Sequence, residues 1–273
     1  MTVDERLEHV EAKRPLVFDD IDFTIRDPEG LRAVLAAPLE YAQRVEAVVS
    51  TDGMQALMPR REPRIDRFLE LWTIDEHGHG RALGELMRRL HLEPTAVGEA
   101  DYGVQNRLIG ALGRASEAMH DVVTVVWATC GAMNEHLAMA AYARMDAILR
   151  ERGEWALHET LFRWLRAHES AHKSFYAAYS AETWARLAPW QRRFARWTVR
   201  TTWAPVGAGA KSDKPAFGRT VVALGPDDWE ESIAAPVQSV ADRLVAEGEP
   251  ADPFVRRAIL ECLEAEAALG RAA

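Results

Sequence analysis

The chain has 273 residues, 48% hydrophobic and 27% charged, with 42 acidic against 33 basic side chains and a formal net charge of −9. This apolar content, with nine tryptophans, excludes a disordered chain, and the acidic balance excludes nucleic acid as the main partner. Two cysteines, Cys130 and Cys262, are too few for a disulfide framework or a thiolate metal cage.

Helix-favouring residues dominate, with Pro and Gly falling between long periodic runs, which predicts an all-α fold. Residues 1–29 read as an irregular N-terminal arm that ends at Asp27-Pro28-Glu29, with Asp27 as N-cap and Pro28 at the first helical position. A first helix is expected over about 29–50, stopping at Thr51-Asp52-Gly53 or, if longer, at Pro59. The basic connector Pro59-Arg60-Arg61-Glu62-Pro63 leads to a second helix over about 64–90. Gly98, Gly103, Gly110 and Gly113 punctuate the next stretch, a third helix covers about 116–150, and Gly153 divides it from a fourth over about 154–179. Ser180 reads as the N-cap of a shorter helix, 181–202, kinked at Pro189. Frequent Pro and Gly over 203–226 suggest a loop or short strand pair, followed by modest helices near 227–247 and 253–269. The expected architecture is a four-helix bundle within residues 30–202, with 203–273 packed on it as a C-terminal extension. The most apolar stretch, 122–143, is interrupted by Asn134, Glu135 and His136, so no membrane span is expected, and the charged N-terminus does not look like an export signal. The expected location is the cytoplasm.

Each of the four long helices places a glutamate where its pattern calls for an apolar residue, and two of them add a histidine three positions later. On the first, Leu39, Ala42, Val45, Val49 and Gly53 define the apolar face and Glu46 lies on it; Glu40 is the rival, with Ala36, Ala37, Arg44 and Ala47 around it. On the second, Leu69, Trp72, Leu83 and Met87 surround Glu76 and His79. Ala128, Gly131, Ala132, Ala138 and Tyr142 surround Glu135 on the third, and Phe162, Leu165, Phe175 and Tyr176 surround Glu169 and His172 on the fourth. A spacing of three puts Glu and His one turn apart on one face, so both can reach one metal ion from inside a bundle. Glu76 follows Glu46 by 30 residues and Glu169 follows Glu135 by 34, each a helix, a turn and a return to the same depth. A third pair, Glu117-x-x-His120, has no such partner glutamate.

The order Glu, Glu-x-x-His, Glu, Glu-x-x-His is the ligand set of a ferritin-like di-iron carboxylate bundle. An unpaired buried carboxylate costs several kcal/mol, and two iron ions would compensate four of them. Nothing suggests nucleophilic catalysis or a phosphate-binding loop, so no catalytic residue beyond the ligands is assigned and no organic cofactor is expected.

The segment Trp72-Thr73-Ile74-Asp75-Glu76-His77-Gly78-His79-Gly80 resembles the Trp-Thr-x-Glu-Glu-x-x-His-Gly segment of the soluble acyl-[acyl-carrier-protein] desaturases. His168-Glu169-Ser170-Ala171-His172 falls where that family carries Asp-Glu-x-x-His, and Asn134-Glu135 resembles its lone ligand glutamate. The resemblance covers residues 31–179, more faintly the rest. It implies that Glu46, Glu76, His79, Glu135, Glu169 and His172 hold two iron ions. It further implies a homodimer that takes electrons from a ferredoxin-type donor and uses O₂ to introduce a double bond into an acyl chain carried by acyl carrier protein. In this chain Ala138 stands where many plant members have a threonine, His168 where the family has a supporting Asp, and Asp75 where it has Glu; the Trp-containing segment of the plant N-terminal arm is missing. Ala128, Gly131, Ala132 and Ala138 are candidates for leaving a substrate cavity beside Glu135. Arg60, Arg61, Arg64 and Arg67, or Arg192, Arg193, Arg196 and Arg200 opposite Trp190, Phe194 and Trp197, are candidates for docking the acidic carrier. The competing expectations are a di-iron hydroxylase or N-oxygenase of another small molecule, an iron-binding protein without turnover, and a helical scaffold that has lost its metal.

Overall fold

The structure is a computed structural model that describes residues 1–49, 54, 62–98, 111, 113–114, 116–225, 227–246 and 252–272. Among the described residues there is no strand, and Val48 and Gly98 form an isolated bridge. The fold is all-α. No helix of the described residues is long and apolar enough to cross a membrane.

The arm is not irregular throughout. Helix α1, Val3–Glu11, starts from a capping box in which Glu5 N–H donates to Thr2 Oγ1 and Thr2 N–H to Glu5, the contacts that a Thr-x-x-Glu sequence makes possible. Its buried Val3 and Val10 join the core between the long helices. Farther along, the backbone N–H groups of Arg26 and Asp27 donate to the buried Glu154 carboxylate, tying the arm to the start of the fourth long helix.

Helix α2 spans Pro28–Ala47, with Asp27 capping Gly30 N–H at 2.9 Å as expected and the buried Pro38 inside it. Helix α3 is Pro63–Arg89 and α4 is Glu117–Glu151. Gly153, at φ +73°, takes the left-handed conformation that lets Glu154 N–H bond back to Leu149 O and end α4. Helix α5 begins at Trp155–Leu157, widens through a π-turn at His158–Phe162 and continues over Arg163–Arg186. Ser180 is therefore not an N-cap: it is buried within α5, where its hydroxyl pairs with Thr129 of α4 at 2.8 Å. The chain breaks instead at Leu187 and Ala188, both extended, Ala188 because Pro189 follows it, and Pro189 opens α6, Pro189–Thr202, rather than kinking it. The segment read as a loop or strand pair carries α7, Lys214–Leu224. Helix α8 runs through Glu230–Ala234, Ala235–Ala241 and Asp242–Ala246, and α9 is Phe254–Ala272. Thr51-Asp52-Gly53, Pro59, Arg60, Arg61, Gly103 and Gly110 lie outside the described residues.

Two apolar clusters lie either side of one polar layer. Leu31, Leu35 and Leu39 of α2, Leu83 and Leu86 of α3, Met145 and Leu149 of α4, and Phe162 and Leu165 of α5 form one cluster. Phe68 and Trp72 of α3, Trp127 and Ala132 of α4, and Phe175 and Tyr179 of α5 belong to the other. Taken in chain order, α2 runs from the first cluster to the second, α3 and α4 from the second to the first, and α5 back again. Thus α2/α3 and α4/α5 are antiparallel pairs and α3 and α4 are parallel, with the end of α3 and the start of α4 at opposite ends of the bundle. Helices α7 and α9 pack on each other, α7 against α2, and α8 against α4.

Gly80, the residue after His79, sits where α3 crosses the end of α2. A Cβ there would lie 2.7 Å from Ala47 Cα and 2.8 Å from Ala47 N, backbone atoms that cannot step aside. Gly80→Ala is expected to lower unfolding stability by about 1–3 kcal/mol through overpacking. The urea midpoint reads it, and an unchanged midpoint contradicts the close crossing.

Candidate metal centre

All six expected side chains meet in the polar layer. Glu46 comes from the last turn of α2, Glu76 and His79 from the middle of α3, Glu135 from α4, and Glu169 and His172 from α5; none is more than 8% exposed. Glu40, the rival on α2, is exposed. Ligand atoms of Glu46, Glu76, His79 and Glu169 lie within 4.8 Å of one another, and so do those of Glu76, Glu135, Glu169 and His172. Glu76 and Glu169 belong to both groups, so the centre is two adjoining sites that share two carboxylates. Histidine Nδ1 atoms close each end. His79 Nδ1 is 3.1 Å from Glu169 Oε1 and 3.7 Å from Glu46 Oε2, and His172 Nδ1 is 3.3 Å from Glu76 Oε1 and 3.9 Å from Glu135 Oε2.

The backs of the imidazoles fix their tautomers. His172 Nε2–H donates to Asp75 Oδ2 at 3.1 Å, which leaves its Nδ1 lone pair facing the centre. His168 Nε2 lies 3.1 Å from the carbonyl of Arg14, an acceptor, so it carries the hydrogen. Burial and the neighbouring His79 push the His168 pKa down to about 4, so the ring is neutral and its Nδ1 accepts from His79 Nε2–H at 3.0 Å. His79 Nδ1 is then bare as well. The residue preceding each Glu-x-x-His glutamate thus supports the histidine of the opposite helix, Asp75 as an anion and His168 as a neutral acceptor.

A metal-free layer leaves its charges uncompensated. Glu46 Oε2, Glu76 Oε1, Glu169 Oε1 and both histidine Nδ1 atoms are buried without a hydrogen-bond partner. Burial first, then the surrounding carboxylates, hold Glu76 and Glu135 well above the usual carboxylate range, and burial with Glu46 raises Glu169 to about 8. For Glu46, burial opposes ionisation, but donors around it, Glu76 and the Tyr142 hydroxyl among them, outweigh it and hold the group below the usual carboxylate range. Four carboxylates and two imidazole lone pairs converging on unpartnered atoms fit a pair of divalent or trivalent ions with mixed oxygen and nitrogen preference.

Two neighbours of the layer had escaped the sequence reading as hydrogen-bond donors. Trp72 Nε1–H donates to Glu135 Oε1 at 3.1 Å, and the Tyr142 hydroxyl to Glu46 Oε1. Both sat on the predicted faces; their direction towards a carboxylate depends on neighbouring helices.

A cavity of about 710 Å³ opens on the four glutamates, walled by Trp72, Trp127, Gly131, Ala138, Tyr176 and Val206 among others, with the two ligand histidines behind them. Ala128 and Ala132, expected to make this room, are instead buried in the core, and Gly131 leaves space for the Tyr176 ring, whose carbons a Cβ would meet at 2.6 Å. Arginines of both clusters have partners within the chain. Arg64 pairs with Glu62 and Glu182, and Arg67 with Glu11, while Arg192 and Arg196 fold over the Trp184 ring. On α6 it is Ala195 and Val199 that are buried, so Trp190, Phe194 and Trp197 face outward instead of inward.

In comparisons with protein-family models, curated proteins and solved structures, nothing matches this chain.

In the metal-free protein, Glu169 keeps a proton in the folded state that the unfolded chain, titrating at 4.5, gives up; the stability tied to it is present below 4.5 and lost as pH rises towards 8. Glu46 and Asp75 are shifted downward and act only at more acid pH. The melting temperature of the apoprotein is expected to fall between about pH 6.5 and 8, above the range in which the depressed His136 and His168 act in the opposite sense, and saturating ferrous or manganous ion is expected to remove the fall. A rise in the apoprotein melting temperature over that window contradicts the buried-acid geometry. Asp75→Asn is expected to weaken metal binding about 10–100-fold without loss of helix content. Competition with a chelator and circular dichroism check it.

Proposed function

We propose that this chain is a ferritin-like di-iron oxidoreductase that uses O₂ and a ferredoxin-type electron donor to introduce a double bond into an acyl chain tethered to acyl carrier protein. The observation that carries the reading is the pair of adjoining ligand groups sharing Glu76 and Glu169. Two antiparallel helix pairs joined by one long crossover agree with a ferritin-like bundle. The Trp72–Gly80 and His168–His172 segments supply the resemblance to the desaturases, and a homodimer acting in the cytoplasm is part of the same reading.

Two iron ions, when bound, supply O₂ activation and the oxidising power to break an unactivated C–H bond. The chain's own residues do the rest. Glu76 and Glu169 would serve both ions, with Glu46 and His79 completing one ligand set and Glu135 and His172 the other. Asp75 and His168 keep the imidazole lone pairs aimed inward, and Trp72 restrains one oxygen of Glu135. Val45, Val49, Trp72, Trp127 and Tyr176 in the cavity wall offer an apolar chain a surface beside the glutamates. Ala138 offers no hydroxyl beside Glu135, so protons reach the site by another route than a threonine at that position. The aromatic surfaces of Trp72, Trp127 and Tyr176 in the cavity favour, as a second reading, a hydroxylase or N-oxygenase of an aromatic small molecule.

Protein from iron-supplemented cells is expected to hold two irons per chain, and a Glu135→Ala, His172→Ala variant to lose them while remaining helical. Metal analysis and the optical spectrum check this. Iron absent from the wild type, even after anaerobic reconstitution with ferrous ion, overturns the reading. Product analysis after turnover with acyl carrier protein substrates and reduced ferredoxin separates desaturation from hydroxylation.

A further inference from the structure

Tyr142 is one of the largest side chains in the molecule to be fully enclosed. It lies seven residues after Glu135 on α4, hence on the same face, and its hydroxyl donates to Glu46 Oε1. The other oxygen of that carboxylate, Oε2, faces the centre 3.7 Å from His79 Nδ1. One carboxylate group therefore separates the phenol from the metal position. The ring packs edge-on against Phe162, with centroids 6.1 Å apart, and lines a small, mainly apolar pocket of about 60 Å³ with Ala138, Met145 and Leu224.

Trp72 is the counterpart on the other side of the layer, with its indole N–H on Glu135. The two differ in surroundings. Trp72 forms part of the wall of the large cavity, open to whatever enters it, whereas Tyr142 is not among the residues lining that cavity. A phenol loses an electron readily when its proton has a base to receive it, and Glu46 Oε1 is already in hydrogen-bond contact.

We propose that Tyr142 is a redox-active residue that stores one oxidising equivalent beside the centre, as a neutral phenoxyl radical formed when the ferrous protein reacts with O₂. This rests on the di-iron reading above. Reduction of O₂ to two waters consumes four electrons and four protons. Two electrons come from two ferrous ions becoming ferric, one from the Tyr142 phenol, and one from a small external one-electron reductant such as ascorbate. The phenolic O–H bond breaks, its proton passes to Glu46 Oε1 and joins three from solvent in the water formed.

The test begins with metal analysis of wild-type protein loaded anaerobically with ferrous ion, which establishes the centre independently. The loaded protein is mixed with O₂ and ascorbate without substrate, frozen, and examined by electron paramagnetic resonance. The expected result is an organic radical signal that narrows when the protein is made with ring-deuterated tyrosine, is lost in Tyr142→Phe and is kept in Trp72→Phe, at equal iron content. Ring deuteration on the wild type identifies the radical as one of the five tyrosines, and Tyr176→Phe, which changes the tyrosine on the cavity wall, is expected to keep the signal; its loss there at equal iron content overturns the proposal even if Tyr142→Phe binds iron poorly. Iron oxidised to the ferric state with no organic radical overturns the proposal and leaves the di-iron centre standing. A signal that survives Tyr142→Phe, or one that responds to deuterated tryptophan instead, overturns it too. Failure to bind iron overturns both readings, and metal analysis shows which case holds.

Discussion

Four carboxylates lie in one dry layer between two apolar clusters, and the rest of the structure is arranged around neutralising them. Ionised acids withdrawn from water without partners cost several kcal/mol each, comparable together to a domain's whole net stability. Without a cation the layer meets that cost by protonation, which is why Glu76, Glu135 and Glu169 titrate high. The five buried ligand atoms without hydrogen-bond partners lie inside this layer, all aimed at one another. A folded chain that concentrates so much unsatisfied polarity at one depth breaks the usual packing rule where function is expected to reside.

The supporting shell is asymmetric in charge. Asp75 backs His172 as an anion, and His168 backs His79 as a neutral ring whose own N–H is spent on the carbonyl of Arg14. An anionic acceptor makes an imidazole more electron-donating than a neutral one does. The half-site formed with His79 is therefore the less electron-rich of the two, and it is also the one whose Glu46 receives the Tyr142 hydroxyl. The N-terminal arm enters this arrangement directly, because Arg14 lends the carbonyl that sets the His168 tautomer and Glu154 holds Arg26 and Asp27 in place.

Access is as one-sided as charge. The large cavity reaches the glutamates, while the histidines stand behind them with the arm beyond His168. The C-terminal part contributes Val206 and Gly207 to the cavity wall, and Trp203 donates to Asn134, the neighbour of Glu135. It thus shapes the approach to the centre even though it carries none of the six ligand candidates.

The amino-acid sequence by itself determined the four long helices, their apolar faces and the six polar residues set on them, because periodicity and the Glu-x-x-His spacing are local properties of a helix, whereas the short α1 and α7 fall where it suggests an arm and a loop. It preferred Glu46 to Glu40 for the same reason: only Glu46 shares a face with Leu39, Ala42 and Val45. Boundaries such as Ser180 were misread because Ser also suits a helix interior when, like Ser180, it finds a hydroxyl across the interface. Helix α6 was turned inside out because its aromatic stripe and its small Ala195–Val199 stripe are both plausible inner faces, and only the neighbouring helices choose between them. The pairing of Asp75 with His172 and of His168 with His79, the Trp72 and Tyr142 hydrogen bonds, and the close approach at Gly80 were decided by the tertiary structure alone. Each depends on the distance and rotation between two helices, which no periodicity within one helix encodes.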